Sequence, residues 1–182
     1  MESAERLFAA KGFVSTTIAE ITADAGYAKG NFYRHWPSKD EIMLQIIADK
    51  MEAYRRMRDR SLQAATSLEE VMNIILDFLE TMIDDRNWSS VFLEFTIHAS
   101  RNPELRNQLN QSIYRLSNEI FNDIAATHVT SSYPARKIGA LNTALFEGFL
   151  IHSLLGTGTI DRQDFRRAAM LLSLGNGIAD KM

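Results

Sequence analysis

The sequence of 182 residues contains no cysteine, and it has only three prolines and nine glycines. The absence of cysteine excludes disulfide bonds and thiolate metal sites and suits a reducing compartment, so we expect a cytoplasmic protein. Because few residues break helices, we expect long helices with few interruptions. The formal net charge of −3 excludes a globally basic nucleic-acid coat, so any contact with nucleic acid must be local.

Motifs of common enzymes are also absent. No phosphate loop, nucleophile elbow or dinucleotide fingerprint occurs, so we expect no cofactor and no enzymatic activity. The most apolar stretch, residues 138–156, contains Asn142, Glu147 and His152, and we interpret it as a buried helix rather than a membrane span. No signal peptide is recognisable after Met1.

Two short helices joined by a tight turn are predicted near the N-terminus. Thr17 and Glu20 have the spacing of a capping box, which starts the first helix. Gly26 is suited to the left-handed conformation that ends it. The second helix runs from about Lys29 to His35 and stops before Pro37. This spacing is typical of a helix-turn-helix, whose second helix lies in the major groove of DNA.

The charges of this segment favour a DNA-binding role. Residues 27–39 contain three fixed positive charges and no acid. Side chains here that can pair with phosphates or contact base edges are Lys29, Asn31, Tyr33, Arg34, His35 and Lys39. The alternative is a solvated charged helix in an ordinary helical domain.

A larger set of residues in this region matches a known family. The matching positions are Leu7-Phe8, Lys11-Gly12-Phe13, Thr16-Thr17-Ile18, Ile21, Ala25-Gly26-Tyr27, Lys29-Gly30, Phe32-Tyr33-Arg34-His35-Trp36 and Ser38-Lys39-Asp40-Glu41-Ile42. They resemble the N-terminal domain of the TetR family of bacterial transcriptional regulators. The resemblance implies a dimeric, all-helical DNA-binding protein whose larger C-terminal domain senses a small molecule. It also implies additional residues, often basic, before the first helix.

The resemblance assigns expected roles to individual residues. Lys29, Tyr33 and His35 are expected to face the major groove of double-stranded operator DNA. Thr17, Gly30 and Lys39 are expected to position the DNA backbone through phosphates, Thr17 and Gly30 largely through backbone N–H groups. The chain has Ala28 where serine is usual, Asn31 where threonine or alanine is usual, and Trp36 where phenylalanine is usual. Without the serine hydroxyl, one expected phosphate contact is missing.

The rest of the chain predicts further helices and no strand. Beyond a first helix at about residues 2–11, the apolar periodicity and caps predict helices at about residues 39–61, 67–84, 88–100, 103–127, 134–155 and 161–178. We therefore expect an all-α fold of about nine helices. Residues 1–46 are expected to form the helix-turn-helix domain, and residues 47–182 a ligand-binding and dimerisation domain.

Aromatic and methionine side chains are dense in the second half. They are either ordinary core or the walls of an apolar ligand cavity, with polar groups from Glu94, His98, Asn142 and Glu147. The candidate ligand-binding residues are Phe78, Met82, Trp88, Phe92, Phe95, His98, Tyr114 and Phe146. A ligand wedged among Phe78, Phe92, Phe95 and Tyr114 is expected to swing the helix at residues 39–61 and change the separation of the recognition helices.

Two late helices carry an apolar stripe each, and a pair from each subunit would form a four-helix bundle. The candidate dimer-interface residues are Leu141, Leu145, Phe149 and His152, together with Ile138, in the first and Phe165, Ala169 and Leu172 in the second. The alternative is packing within the subunit.

These observations predict a homodimeric repressor that a small molecule releases from a palindromic operator. Two other classes stay open. A helical-bundle enzyme would bind metal through Glu94, His98 and Glu147, and a helix-turn-helix used only for protein interaction would bind no specific DNA.

Overall fold

The computed structural model describes residues 1–114 and 134–174. Within these ranges the regular structure is entirely helical, with nine α-helices, so the predicted all-α fold is confirmed. The helices are α1 (Glu2–Lys11), α2 (Ile18–Asp24), α3 (Lys29–Phe32), α4 (Lys39–Leu62), α5 (Leu68–Asp84), α6 (Arg86–Ser100), α7 (Pro103–Leu109), α8 (Ala135–Leu155) and α9 (Arg162–Leu174).

Local capping decides where most helices begin. Thr17 and Glu20 form the predicted capping box at α2, with bonds in both directions. Asp161 and Asp164 exchange backbone-to-carboxylate hydrogen bonds of 2.9 and 3.1 Å at the start of α9. Asn102 accepts bonds from two backbone N–H groups at the start of α7. These three predicted starts are confirmed, because each depends only on residues within one helical turn.

The recognition helix α3 is shorter than predicted. It ends at Phe32 rather than at His35. The backbone N–H groups of Arg34 and His35 bond to carbonyls three residues earlier, at 3.3 and 3.0 Å. A tightened turn of this kind ends the helix ahead of Pro37, whose ring disfavours helical geometry at the preceding residue.

The helix predicted at residues 103–127 also differs. After α7 the chain continues as a π-helical turn, Asn110–Tyr114. The rest of that predicted helix, residues 115–127, and the predicted loop at residues 128–133 lie outside the described residues. Ile178, at the predicted end of the last helix, does so as well.

The chain divides into two compact units. The N-terminal unit comprises Met1–Ala53 and Asp85–Asn110, and the second unit comprises Tyr54–Asp84 and Gln111–Met182. This grouping differs from the expected division between residues 46 and 47, because α6 packs on α1 and carries α7 with it.

Aromatic rings fill the core of the N-terminal unit. Phe13 is fully buried and contacts Phe8 at 5.3 Å and Phe95 at 4.9 Å between ring centroids. The edge-on geometry of the Phe13–Phe95 pair is the arrangement that aromatic quadrupoles favour. Aliphatic side chains of α4 complete this core: Ile42, Met43, Ile46 and Ile47.

In the second unit, α9 packs against α5 and α8. Phe165 stacks on Phe149 with ring centroids 5.1 Å apart. Arg166 bonds to Asp77 at 2.7 Å and Glu80 at 2.9 Å on α5. Apolar burial therefore holds α9 to α8, and ion pairs align it with α5.

The capping box of α2 generates a prediction about pH. Hydrogen bonds from Lys11, then from the backbone and hydroxyl of Thr17, lower the pKa of Glu20 from 4.5 to about 2. Because the folded-state pKa is depressed, ionised Glu20 stabilises the fold fully above the unfolded-state pKa, and this contribution is lost as the pH falls through about 2. Glu20→Gln should therefore lower the Tm at pH 7, and this difference should vanish towards about pH 2.

Thermal unfolding at a series of pH values measures this difference, with Glu2→Gln at an exposed carboxylate of α1 as the control. A difference between wild type and E20Q that stays constant with pH would contradict the assignment.

Candidate nucleic-acid interface

The turn between α2 and α3 sets the direction of the recognition helix. Gly26 has a φ of 73°, a left-handed conformation that favours glycine. The backbone N–H of Tyr27 closes the turn on the carbonyl of Thr22 at 2.8 Å. Ala28 then occupies the N-cap of α3 without a side-chain hydrogen bond, as its methyl group requires.

The structure exposes most of the predicted DNA-contacting side chains together. Lys29, Tyr33, Arg34 and His35 are exposed, as is Gly30, and Asn31 is half-buried. Tyr27 is also exposed, by 62%, and adjoins the same surface. The sequence prediction did not include Tyr27, although an aromatic residue directly after the turn glycine could have indicated it.

The rings of the buried Phe32 and the half-buried Trp36 support this surface. Phe32 is 4% exposed and meets the ring of Tyr33 edge-on, with centroids 5.5 Å apart. Trp36 contacts Phe32 at 5.6 Å and His35 at 5.4 Å. The exposed rings therefore stand on a packed base, which limits their rotamers before any partner binds.

Two residues predicted to hold phosphates are engaged inside the protein. The backbone N–H of Thr17 donates to the Glu20 carboxylate at 2.8 Å, so it is not free for a phosphate. Lys39 donates to the carbonyls of Phe13, Val14 and Thr16 at 2.7, 3.1 and 2.8 Å. An ammonium has three N–H donors, and all three are used. In this conformation these donors are engaged within the protein, so the geometry does not support their predicted phosphate contacts.

The environment of Lys39 fits this structural role. Its Nζ also lies 4.5 Å from the centroid of the Phe13 ring. Burial lowers the pKa of Lys39, while the neighbouring carboxylates of Asp40, Glu94 and Glu20 raise it. Lys39 thus uses its charge to bind backbone carbonyls of the α1–α2 loop and is not a free surface charge.

Four predicted ligand-binding residues belong to the N-terminal unit. Phe95 is fully buried against Phe13, and His98 lies beside the same ring at 5.1 Å. His98 Nε2 also lies 3.0 Å from a carboxylate oxygen of Asp40. Phe95 therefore belongs to the aromatic core of this unit, which is the alternative to a role in ligand binding. Trp88 and Phe92 are buried on α6, with ring centroids 6.3 Å apart.

The same unit engages Glu94, one of the candidate metal ligands. Its carboxylate accepts hydrogen bonds from the backbone N–H groups of Phe13 and Val14 at 2.8 and 3.0 Å. Among residues 1–114 and 134–174, no three histidine, aspartate or glutamate side chains are grouped as a metal site would require. Glu94 therefore caps two backbone N–H groups of the α1–α2 loop with its carboxylate.

The other four predicted ligand-binding residues belong to the second unit. Met82 and Phe146 are buried, and Phe78 and Tyr114 are half-buried. The Tyr114 hydroxyl donates to the Glu147 carboxylate at 2.5 Å. Tyr114 closes the π-helical turn, a deviation that is frequent at functional sites.

The predicted dimer stripe is divided by burial. Ile138, Phe149, Phe165 and Ala169 are buried within the subunit, as the alternative of packing within the subunit predicts. Leu145 and Leu172 are half-buried, and the exposed His152 bonds to Thr157 at 2.9 Å. The exposed apolar face of α8 includes the predicted residue Leu141, together with Ala144, Ile151 and Leu155, and the half-buried Gly148 lies in the same row.

An exposed, acid-free helix after a tight turn, carried on a helical core, defines a helix-turn-helix protein. Comparison with protein families agrees. Residues 1–46 match the model of bacterial regulatory proteins of the tetR family, and residues 67–172 match that of the C-terminal part of BetI-type transcriptional repressors. The chain belongs to the TetR family of bacterial transcriptional regulators.

Individual proteins show the same relationship. An uncharacterised helix-turn-helix regulator of Bacillus subtilis, YfiR, is 25% identical over 61% of the chain, which spans 55% of that protein. The FadR regulator of Bacillus subtilis, solved with stearoyl-CoA, has a TM-score of 0.77 at 16% identity and covers 96% of both chains. A regulator from Saccharomonospora viridis, solved with choline, has a TM-score of 0.73 at 21% identity, covering 93% of this chain and 92% of that one.

The different environments of two lysines give a prediction. Lys29→Ala should weaken binding to every DNA sequence and reduce the slope of log K against log salt by about 0.9, the value for one phosphate. Lys39→Met should leave that slope unchanged and lower the free energy of unfolding by about 1–3 kcal/mol, because three carbonyls lose a charged donor.

Binding titrations from low to high salt and denaturant unfolding measure the two quantities. Each variant is the control for the other. A reduced salt slope for K39M would return Lys39 to the phosphate-contacting residues.

Proposed function

We propose that the protein is a ligand-responsive repressor rather than an enzyme, and that it binds a palindromic operator as a homodimer. The observation that carries this proposal is the exposed surface of Lys29, Tyr33, Arg34 and His35 on and just after α3. Its cations suit phosphates, and its aromatic and polar edges suit the major groove. We propose that it acts in the cytoplasm.

The homodimer is supported by the exposed apolar face of α8. Leu141, Ile151 and Leu155 are 42, 47 and 74% exposed, and they follow one another along one side of the helix. By length and composition, residues Arg136–Leu155 are apolar enough to span a bilayer, and 33% of the most apolar part of this helix is buried. The buried Asn142 and half-buried Glu147 favour a protein neighbour over lipid.

A second copy of the chain fits this face for a geometric reason. Ala144 and Gly148 lie in the same row and permit close approach of a partner helix. Twofold symmetry would place two recognition helices on half-sites about 34–36 Å apart, or a multiple of that distance. Dimerisation would then remove the apolar face of α8 from water and, at the same time, place the two recognition helices for binding to DNA.

Ile151→Glu tests the dimer. The variant would place a charge in the interface, so we expect monomers and loss of binding to a palindromic duplex. Sedimentation velocity measures the mass, and Ser90→Glu at an exposed position of α6 is the control. A stable I151E dimer would place the interface elsewhere.

For the ligand site we propose the second unit. Phe78, Met82 and Phe146 supply apolar surface, and the Tyr114–Glu147 pair supplies the polar group. A half-buried carboxylate attracts an ammonium group and repels the phosphates of a coenzyme A thioester. The chain therefore favours a small cationic ligand, of the kind bound by the relative solved with choline.

Calorimetric titration with choline and with stearoyl-CoA tests the site, each with and without a duplex selected by the wild-type protein from random sequences. We expect choline to bind, Glu147→Gln to weaken it about tenfold, or ~1.4 kcal/mol, and bound DNA to weaken it by the same factor by which choline weakens DNA binding. Equal choline affinities with and without DNA would exclude coupling. Binding of stearoyl-CoA alone would overturn the cationic assignment.

The salt titration also distinguishes a DNA-binding regulator from a helix-turn-helix protein that binds only other proteins. A helix-turn-helix used only for protein interaction would show no salt-dependent affinity for any duplex.

A further inference from the structure

The loop between α1 and α2 is held by a side chain from far along the chain. Glu94 of α6 accepts hydrogen bonds from Phe13 and Val14, with one carboxylate oxygen for each backbone N–H, at 2.8 and 3.0 Å. Two bonds fix both the position and the orientation of the loop relative to α6. Charge-assisted bonds of this length are among the stronger polar contacts in proteins.

Lys39 holds the other polar side of the same loop. Its ammonium bonds to the carbonyls of Phe13, Val14 and Thr16, so the loop N–H groups meet an anion and its C=O groups meet a cation. The two charges also favour one another through the loop, since Glu94 is among the groups that raise the pKa of Lys39. The loop is thus clamped by α6 and by the first residue of α4.

Gly12 permits this close approach. Its φ of 84° is left-handed, and a Cβ built there would lie 2.8 Å from the Glu94 carboxylate. Any side chain at position 12 would therefore displace Glu94 as well as strain the backbone. The position of Glu94 therefore depends on the absence of a side chain at Gly12.

The clamp sets where the helix-turn-helix begins. The buried Thr16 donates to the carbonyl of Gly12 at 2.7 Å, and the next residue, Thr17, is the N-cap of α2. We propose that Glu94 is a positioning residue for DNA recognition: through the α1–α2 loop it fixes α2 and hence the exposed surface of α3. This rests on the proposed function for its biological meaning.

The proposal also gives α6 an indirect part in DNA binding, through the α1–α2 loop. Residue 94 lies in the segment matched by the BetI-type C-terminal model, yet its carboxylate serves a loop in the segment matched by the tetR-family model. A displacement of α6 by about 1 Å would stretch both bonds beyond hydrogen-bonding distance.

Glu94→Gln tests the proposal, because it preserves the shape of the side chain but leaves only one acceptor oxygen and no charge. We expect about tenfold weaker binding to the selected duplex, comparable with one net hydrogen bond, and an unchanged salt slope because no phosphate contact is lost. Hydrogen exchange should accelerate in the peptide covering residues 12–16. Glu104→Gln, at an exposed carboxylate of α7, should change neither quantity.

The outcomes are distinct. Unchanged exchange at residues 12–16, or unchanged DNA affinity, would overturn the positioning role. A reduced salt slope would make Glu94 part of the DNA electrostatics instead, and faster exchange throughout the chain would make it a general stability residue. If E94Q does not fold, the same measurements are made on Glu94→Asp. This variant keeps the charge, but its side chain is shorter by one methylene. Failure of the wild type to select any duplex would overturn the proposed function, while the exchange measurement would still decide the role of Glu94.

Discussion

Phe13 and Thr16 bring polar backbone atoms into the interior of the N-terminal unit, where those atoms need partners. Glu94 satisfies the N–H groups of Phe13 and Val14, and Lys39 satisfies three carbonyls of the same loop. Unpaired buried groups are costly, so this pair of opposite charges allows the Phe13 ring to reach the core. The start of α2, and with it the direction of α3, depends on the loop that the two charges hold.

The positively charged residues of this region have two different environments, one inside the protein and one on its surface. Lys39 is committed to backbone carbonyls, whereas Lys29 and Arg34 are exposed beside Tyr33 and His35. A chain with a net charge of −3 can bind DNA only through such a local surface. Phe32 and Trp36 contact the exposed rings, so the surface that we propose for DNA is formed in the free protein, which would limit the entropy lost on binding.

The second unit divides its apolar residues between two tasks. Phe149, Phe165 and Ala169 hold α8 and α9 together within the subunit, while Leu141, Ile151 and Leu155 remain on the surface. On α8 the buried Phe146 and Phe149 lie between the exposed Leu141 and Ile151, so a sequence stripe drawn through every apolar residue mixes buried and exposed positions. Burial, rather than hydrophobicity, separates the core from the surface that we propose as the dimer interface.

The sequence by itself determined the helical class, the starts of α2, α7 and α9 and the family, because caps act within one turn and the helix-turn-helix residues are close together in the chain. Only the tertiary structure decided the roles of Lys39, Glu94 and Phe95. Their partners include Phe13, which lies 81 residues from Glu94. Lys29 and Lys39 look alike in the sequence, and only the folded chain shows which of them has carbonyls within reach. The pattern of neighbouring residues in the sequence carries no information about contacts between distant residues. These contacts determine which charged side chains remain exposed.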